Sequence, residues 1–416
     1  MHKIKAPLIC LLGTLFYCFD YFIQVTPSVM SHQLTEHFHI STTQFGLIGP
    51  FFLIPYSLMQ LPAGLLIEKY GARISLTLSA LLSSIALILF SYSNSWAVLL
   101  ALRSLLGCCA AFSFVSALFL ISHWFKQKHF APLACGVQLF STLGSMIGLS
   151  SVAKSVQHYH WQQIIFSMGV FSFILFCLFA LLIRDGREKK RKPESLAITE
   201  TMQYIFQNPN ITSVFLIGAF AWIPMSAFGS LWGVPYLTST LNITVSQASH
   251  DITILWFGLA VGSVLSGWLS EGRLNIPSIS MLCFFLAVLA STIIVFVTHV
   301  NPLTLKLALF TLGVSASNQA LSFAMLKNMV PKKIFCGLSG INNMATLIIG
   351  AAAQAYIGLI LSLHQNTTSK ELVFSPIQFH HAITIMPITA FVGALLCLTV
   401  RKKRQLLHTA NSTTSC

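Results

Sequence analysis

The chain has 416 residues, of which 55 % are hydrophobic and only 8 % are charged, whereas about 25 % of the residues in a soluble protein are charged. This composition, with a mean hydropathy of +0.77, excludes a soluble globular enzyme, a disordered chain and a disulfide-rich scaffold, and it predicts a protein built on many membrane spans. In a soluble protein the net charge of +14 would suggest nucleic-acid binding, so the positions of the basic residues decide its meaning.

Twelve apolar runs follow one another along the chain, and each is long enough for a hydrocarbon core that takes about 20 residues to cross. The runs cover residues 7–30, 45–67, 74–93, 96–122, 130–152, 161–183, 211–237, 248–270, 277–299, 303–325, 334–363 and 377–400. They predict an all-α, polytopic membrane protein with twelve transmembrane helices. The first run contains Asp20 and Pro27 and ends without a small-x-small site, so we expect a span and not a cleaved signal peptide.

The basic residues fall almost entirely on one side of the membrane if the N-terminus is cytoplasmic. Of the 24 Lys and Arg residues, Lys154, Lys306 and Lys370 then lie on the outer side, Arg103 lies within a span, and all others are cytoplasmic. This imbalance is typical of inner-membrane proteins. It predicts that both termini are cytoplasmic, and it explains the net charge without nucleic acid.

The runs divide into two groups of six, separated by the basic sequence RDGREKKRKPES at residues 184–195. We therefore expect an N-terminal bundle at 1–183, a cytoplasmic linker at 184–210, a C-terminal bundle at 211–400 and a cytoplasmic tail at 401–416. A charged linker is the simplest interpretation of the basic run, and a segment that binds lipid headgroups is the alternative.

A short motif supports an internal duplication. Residues 64–73 read GLLIEKYGAR after the second run, and residues 267–273 read GWLSEGR after the eighth. Both place a glycine, which allows close helix approach, before an acid and a base that can bind a neighbouring helix end. The candidate gating residues are Gly64, Glu68, Lys69, Gly71, Arg73, Gly267, Glu271 and Arg273. An ordinary positively charged loop is the alternative.

The first of these loops resembles the G-x-L-x-D-R-x-G-R signature of the major facilitator superfamily, with Glu68 and Lys69 in place of Asp and Arg. The segment RSLLG at 103–107 is similar to the superfamily's R-x-x-x-G element. The resemblance covers the whole chain and implies the major facilitator fold, with two pseudo-symmetric six-helix bundles. The antiporter element G-x-x-x-G-P is not matched, since Gly136, Gly144 and Gly148 are followed by no Gly-Pro pair.

A narrower resemblance rests on the segments FDYFIQVTPSVM at 19–30, YSLMQLPAG at 56–64 and GAAAQAYIG at 350–358. These look like the motifs of a bacterial subgroup that includes intraphagosomal amino-acid transporters and is similar to lysosomal dipeptide transporters. The resemblance implies uptake of an amino acid or short peptide across a bacterial inner membrane.

Asp20 and Arg103 lie deep within the first half, where an intramembrane charge costs about 2.5–3.5 kcal/mol and marks a functional site by default. Residue counting places both in the outer half of the membrane at similar depth, so they are expected to pair directly or through substrate. Arg103 would bind a carboxylate through two bonds, and Asp20 would bind an amino group or carry the coupling proton. A structural ion pair that holds two helices together is the alternative.

Neutral polar and aromatic residues complete the predicted substrate and proton site. They are Gln24, Tyr56, Gln60, Trp222, Asn318, Gln319, Asn342, Asn343 and Gln354. Two adjacent amides in the eleventh run cannot both face lipid cheaply, so at least one is expected to face a cavity or another helix. Interhelical hydrogen bonding is the alternative role for each of them.

Other chemistry is not expected. Ten of the fourteen histidines fall on the outer side, where neutral histidine replaces the excluded Lys and Arg or senses acid. The cysteines form no C-x-x-C pair, and no cluster completes a metal site. No G-x-x-x-x-G-K-[ST] loop occurs, so we expect no cofactor, with the proton gradient as energy source.

The sequence thus predicts a non-enzymatic secondary transporter, most simply a proton-coupled importer of an amino acid or short peptide. Its partners would be a small-molecule substrate and the lipid bilayer, without nucleic acid, and the protein would be a monomer. An exporter of organic anions or drugs is one alternative, which the missing Gly-Pro element disfavours. A nutrient receptor that does not transport is another, although the tail after Val400 has only sixteen residues.

Overall fold

The computed structural model describes residues 2–126, 129–184, 198–271, 275–296, 301–363 and 376–413, and every regular element in these ranges is a helix. The all-α prediction is therefore confirmed. The elements in chain order are α1 His2–Val29, α2 Ser31–Phe38, α3 Thr42–Leu47, α4 Pro50–Ser91, α5 Trp96–Trp124, α6 Phe130–Ser155, α7 Trp161–Leu182, α8 Ile198–Gln207, α9 Pro209–Ile223, a π-helix Pro224–Trp232, α10 Gly233–Leu241, α11 Val245–Glu271, α12 Ile276–Phe296, α13 Pro302–Ala316, α14 Asn318–Lys327, α15 Lys332–Leu363, α16 Pro376–Ile383 and α17 Ile385–Thr413.

The described ranges contain eleven stretches that are long and apolar enough to cross a membrane. One of them, Thr42–Ser91, has 50 residues, which is far more than one crossing requires. It is broken at Gly71, where φ is 85° and ψ is 163°, a backbone conformation that is essentially restricted to glycine. This stretch therefore covers two predicted runs, 45–67 and 74–93, and the count agrees with twelve spans.

The chain folds into two compact units. Unit 1 comprises residues 1–194, 229–253 and 354–379, and unit 2 comprises residues 195–228, 254–353 and 380–416. The continuous helices α11 and α15 contribute one end to each unit. Residues 185–197 of the proposed linker at 184–210 lie outside the described residues. The division into two six-helix bundles stays a prediction.

Unit 1 is built mainly from α4 packed against α5 and α7, and from α1 packed against α6. Two glycines allow these helices to approach backbone to backbone. A Cβ on Gly107 of α5 would overlap the carbonyl oxygen of Phe52, and a Cβ on Gly144 of α6 would overlap the carbonyl oxygen of Cys18. These positions therefore exclude any side chain.

Unit 2 is built around α12, which packs against α17 and α13, while α9 packs against α17 and α14. Gly313 of α13 lies against the carbonyl oxygen of Leu255 in α11, so a Cβ there would overlap it. Gly313 aligns with Gly107 when LFTLG at 309–313 is matched to RSLLG at 103–107. Both halves thus pack a glycine of the fourth span on a carbonyl of the second, which supports the internal duplication.

Candidate functional site

Arg103 is the largest buried polar side chain of unit 1, with 1 % of its surface exposed. Its Nη1 donates to the carbonyl oxygen of Ile23 at 3.2 Å, its Nε donates to that of Ile48 at 3.4 Å, and its Cζ lies 4.8 Å from the centre of the Phe52 ring. Nη2 has no hydrogen-bond partner. Two of the five N–H donors of the guanidinium are thus used by the backbone, and the others remain for an incoming acceptor.

The local sequence explains why these two carbonyls accept from Arg103. Pro27 lies within α1 and has no N–H, so the carbonyl of Ile23, four residues earlier, has no partner in the helix. At the start of α4, the N–H of Phe52 donates to Gly49 instead of Ile48. Arg103 satisfies both orphan carbonyls and thereby ties α5 to α1 and to the start of α4.

Asp20 of α1 faces a different level of α5, beside Ser113. Only 4 % of the Asp20 surface is exposed. Its carboxyl lies beside Ser113, whose hydroxyl donates to the carbonyl of Ala110 at 2.7 Å. Oδ2 of Asp20 has no hydrogen-bond partner. The Ser113 hydroxyl can turn from Ala110 and donate to an ionised Asp20, and a protonated Asp20 could donate to Ser113 Oγ.

The expected direct pair between Asp20 and Arg103 is not present in the structure. Arg103 and Ser113, which lies beside Asp20, are ten residues apart on α5, or roughly 15 Å of helix rise. Residue counting placed Asp20 and Arg103 at the same depth, but a helical side chain points toward the N-terminus of its own helix. The first and fourth spans run in opposite directions in the predicted topology, so the two side chains point away from each other. A link through substrate stays a prediction.

A polar and aromatic surface lies on the same helix as Asp20. Tyr17 donates to Gln138 Oε1 of α6 at 3.3 Å, Gln138 Nε2 contacts Ser141 Oγ at 3.3 Å, and the rings of Tyr17 and Tyr21 meet edge to face with centres 5.2 Å apart. The sequence prediction missed Tyr17, Tyr21 and Gln138. The spacing of Tyr17, Tyr21 and Gln24 at i, i+4 and i+7 was the available signal, since it places them on one helix face.

The predicted residues of the second run lie close to this surface. Tyr56 is buried, forms a hydrogen bond with the half-buried Gln60 and lies near Tyr21 and Asp20. Gln24 instead points toward the seventh run, where its Nε2 donates to Ser230 Oγ at 3.3 Å. The structure thus places Tyr56 and Gln60 near Asp20 and Tyr21, while Gln24, on the same helix, contacts the seventh run.

The predicted residues of unit 2 mainly connect helices. Asn342 donates to Ser322 Oγ of α14 at 2.8 Å, and Asn318 donates to the carbonyl of Ser280 at 3.4 Å. Both asparagines are fully buried. Trp222 is buried, while Gln319 and Asn343 are half-buried. Interhelical bonding, the alternative considered for these amides, is therefore present for Asn342 and Asn318.

Gln354 lies in unit 1. Its backbone carbonyl accepts from Trp232 Nε1 at 3.0 Å, and its side chain lies directly against Gly49. Only 1 % of its surface is exposed. This placement associates Gln354 with helix contacts at the start of α4.

The candidate gating loop after the second run is partly anchored. Nη2 of Arg73 donates to the carbonyl of Ala180 at 2.6 Å, at the end of α7, and Lys69 lies over the Tyr70 ring at 5.0 Å. Glu68 is exposed. The Arg73 bond matches the expected contact with a neighbouring helix end.

The expected role of Gly64 and Gly267 in close helix approach is wrong for this structure. A Cβ at either position would meet no described atom within 4 Å. Both glycines precede the ends of their spans, and the close contacts occur instead at Gly107 and Gly313. Glu271 is the last residue of α11. Neither its side chain nor Arg273 belongs to the part of the chain that the structure describes.

Residues 10–353 match the model of the Major Facilitator Superfamily. The chain belongs to this superfamily, and it is a multi-pass secondary transporter and not an enzyme.

Individual relatives have low sequence identity to this chain but align with most of its length. The chain is 22 % identical over 370 residues to the D-galactonate transporter of Escherichia coli O6:H1, covering 79 % of this chain and 85 % of the relative. It is 23 % identical over 384 residues to the probable galactarate/D-glucarate transporter GarP of Escherichia coli K12, covering 82 % and 85 %. A bacterial homologue of the human lysosomal transporter Spinster, solved in an inward-facing and occupied conformation, shares the fold with a TM-score of 0.80 at 15 % identity, covering 96 % and 97 %.

Proposed function

We propose that the chain carries a small organic anion with at least one carboxylate across the bilayer together with a proton. The observation that carries this proposal is the buried guanidinium of Arg103, which has no described carboxylate partner and keeps Nη2 unpaired. A buried cation of this kind favours an anionic ligand, because an unpaired charge in the membrane is costly. The D-galactonate and galactarate/D-glucarate transporters, whose names denote organic anions, support the same substrate class.

The charge balance gives a reason for proton coupling. Asp20 and Arg103 are the charged side chains among the buried residues that the structure describes. When both are ionised their charges sum to zero, and protonation of Asp20 leaves one net positive charge. An anionic substrate then restores neutrality. Proton and anion therefore favour each other's binding, and thermodynamic linkage makes this preference reciprocal.

An amino acid or short peptide is the second candidate. Its carboxylate could bind Arg103, and its ammonium group could bind the unpartnered Oδ2 of Asp20. Roughly 15 Å of helix rise separates the two levels, so a single amino acid would bind one of them at a time and an extended peptide could reach both. The two candidates differ in one respect. A polyhydroxy acid needs hydroxyl-binding groups such as Tyr17 and Gln138, whereas an amino acid needs Asp20 ionised.

The first test is a thermal-shift screen of purified protein against D-galactonate, D-glucarate, single amino acids and dipeptides. A ligand present at 100 times its Kd stabilises the fold by about 2.7 kcal/mol. Compounds that bind are then supplied to proteoliposomes with an inward proton gradient. Concentrative uptake of an organic anion is expected, and uptake confined to amino acids or peptides would favour the second candidate.

Two variants test the roles of the charges. Arg103→Lys should weaken binding, because an ammonium cannot reproduce the planar fork of a guanidinium. Asp20→Asn should abolish accumulation driven by the proton gradient while retaining exchange of substrate down its own gradient. Lys306→Gln, which removes a positive charge from an exposed position, is the matched control and should transport normally.

The structural alternative has a different outcome. If Asp20 and Arg103 only stabilise the helices, the double variant Asp20→Asn/Arg103→Gln should recover both stability and transport, because replacing buried charges costs less than leaving one unpaired. Concentrative, proton-driven uptake by this double variant would contradict the proposal.

A further inference from the structure

A small cavity lies inside unit 1, between α1, α2, the end of α4, α5 and α7. Its lining includes Met30, Leu87, Phe90, Ile165 and Met168, and every residue that lines it is buried. The space open to the centre of a water-sized particle is about 10 Å³, which is roughly the minimum that one water requires. The cavity therefore has room for one small particle and none for a sugar acid or an amino acid.

Arg103 and Thr26 are the polar side chains in this lining, and the other lining side chains are apolar. The Thr26 hydroxyl donates to the carbonyl of Phe22 at 2.8 Å. Arg103 uses Nε and Nη1 on backbone carbonyls, whereas Nη2 has no hydrogen-bond partner. The cavity is thus lined by a cation whose Nη2 carries two unused N–H donors.

The chemistry of this lining favours an anion over a water molecule. A buried water typically makes about three hydrogen bonds, and it must donate its own hydrogens to acceptors. Among the lining side chains, Thr26 Oγ1 is the sole oxygen acceptor. A monatomic anion has no hydrogens to donate and accepts directly from Nη2 of Arg103. It also neutralises a guanidinium whose unpaired charge is costly within the membrane.

We propose that this cavity binds one small monovalent anion, of which chloride is the abundant example, on Nη2 of Arg103. The inference rests on the proposed function in one respect, because the same N–H donors would serve a substrate carboxylate. Chloride therefore neutralises Arg103 in the unloaded protein and leaves when substrate binds. Asp20 does not supply this neutralisation, since it lies beside Ser113, roughly 15 Å of helix rise from Arg103.

Binding of radiolabelled chloride to the purified full-length protein tests the proposal. The protein is prepared in a sulfate buffer without chloride, because sulfate is too large for the cavity. Saturable binding of a single chloride per chain is expected. Arg103→Gln removes the positive charge and should weaken this binding by about tenfold or more, as expected for the loss of a charge-assisted hydrogen bond. Undiminished binding by folded Arg103→Gln protein would overturn the proposal.

A second variant keeps Arg103 and fills the cavity. Ile165→Phe places a larger side chain in the lining and should lower chloride binding to a similar extent. Ile174→Phe is the matched control, because Ile174 lies on the same helix and is 49 % exposed. It should bind chloride as the unsubstituted protein does. Normal binding by folded Ile165→Phe protein would contradict the proposal, and so would an equal loss in Ile174→Phe.

Competition measurements on the unsubstituted protein need no variant. Bromide, which is close to chloride in size, should displace the bound chloride, and so should an organic anion that binds in the thermal-shift screen, whereas sulfate should not. Binding that does not saturate, displacement by sulfate as readily as by bromide, or simultaneous binding of chloride and the organic anion would overturn the proposal.

The two proposals fail separately, because chloride binding is measured without transport. Concentrative uptake of an organic anion by a protein that binds no chloride would overturn this inference and leave the proposed function intact. Chloride binding that depends on Arg103, in a protein that binds no organic anion, would support this inference and contradict the proposed function.

Discussion

At the residue scale, the closest helix contacts in both halves depend on a missing side chain. Gly107 lies against the carbonyl oxygen of Phe52, and Gly313 lies against that of Leu255. Small residues let membrane helices approach closely, and this approach supplies the packing energy that the hydrophobic effect does not supply between helices in lipid.

We therefore expect Gly107→Ala and Gly313→Ala each to destabilise the protein by about 1–3 kcal/mol, the usual cost of forcing extra atoms into a packed interior. Thermal unfolding in detergent measures the effect. Gly64→Ala is the control, since its Cβ would meet no described atom within 4 Å and alanine is the better helix former. A loss of stability in Gly64→Ala equal to that in Gly107→Ala would contradict this account.

The residues with intramembrane charges were predictable, but their contacts were not. Asp20 and Arg103 are identifiable because charges are rare and costly in apolar runs. Their assumed pairing failed because it used depth alone and ignored the direction of each side chain. The link between Arg103 and Ile23 was available in principle, since Pro27 leaves the carbonyl four residues before it without a partner.

At the element scale, the break in α4 at Gly71 separates two spans without an intervening loop. Arg73 follows immediately and binds the carbonyl of Ala180 at the end of α7. A basic side chain at a helix C-terminus satisfies a free carbonyl and interacts favourably with the helix dipole. The turn is therefore fixed both by glycine geometry and by this bond.

Arg73→Ala should loosen the end of α7 and slow transport while leaving membrane insertion intact. Hydrogen exchange of residues 175–182 measures the first effect, and we expect faster exchange there than in the unsubstituted protein. Glu68→Ala is the comparison at an exposed position of the same loop, and it should leave this exchange unchanged. Equal exchange in Arg73→Ala and the unsubstituted chain would show that the bond does not hold α7.

Hydropathy predicted where the spans lie but not how they are subdivided. The seventh run contains α9, a π-helix and α10, and the tenth contains α13 and α14. The mean hydropathy of a window is insensitive to such local changes of hydrogen bonding, because they leave the composition of the span unchanged.

At the scale of the whole molecule, the distribution of basic residues predicts the orientation. Tags at residue 1, within 188–194 and after Arg404 should all report the cytoplasm. A cysteine at position 32 should react with an impermeant reagent from outside, since the His32 side chain is 76 % exposed. Labelling of the 188–194 segment from outside would contradict both the orientation and the division into two six-helix halves.

The assignment of segments to compact units was beyond the reach of the sequence. Residues 229–253 and 354–379 pack with the first seven helices, although they belong to the second half of the chain. Periodicity and hydropathy report whether a residue faces lipid or protein, and they contain no information about which helix it faces. Fold class and span number therefore followed from the sequence, whereas this partition did not.

The π-helix Pro224–Trp232 imposes a constraint on the length of the seventh span. A π-helical turn holds more residues than an α-helical turn, so a π-helix amounts to an insertion that the span has retained. Deleting one residue from the span without a compensating change of helix type would rotate everything beyond it by about 100°, including Trp232, whose ring lies edge-on to Phe45 with centres 5.4 Å apart. Trp232 would then face away from Phe45, so the number of residues in this segment is constrained as strictly as their identity.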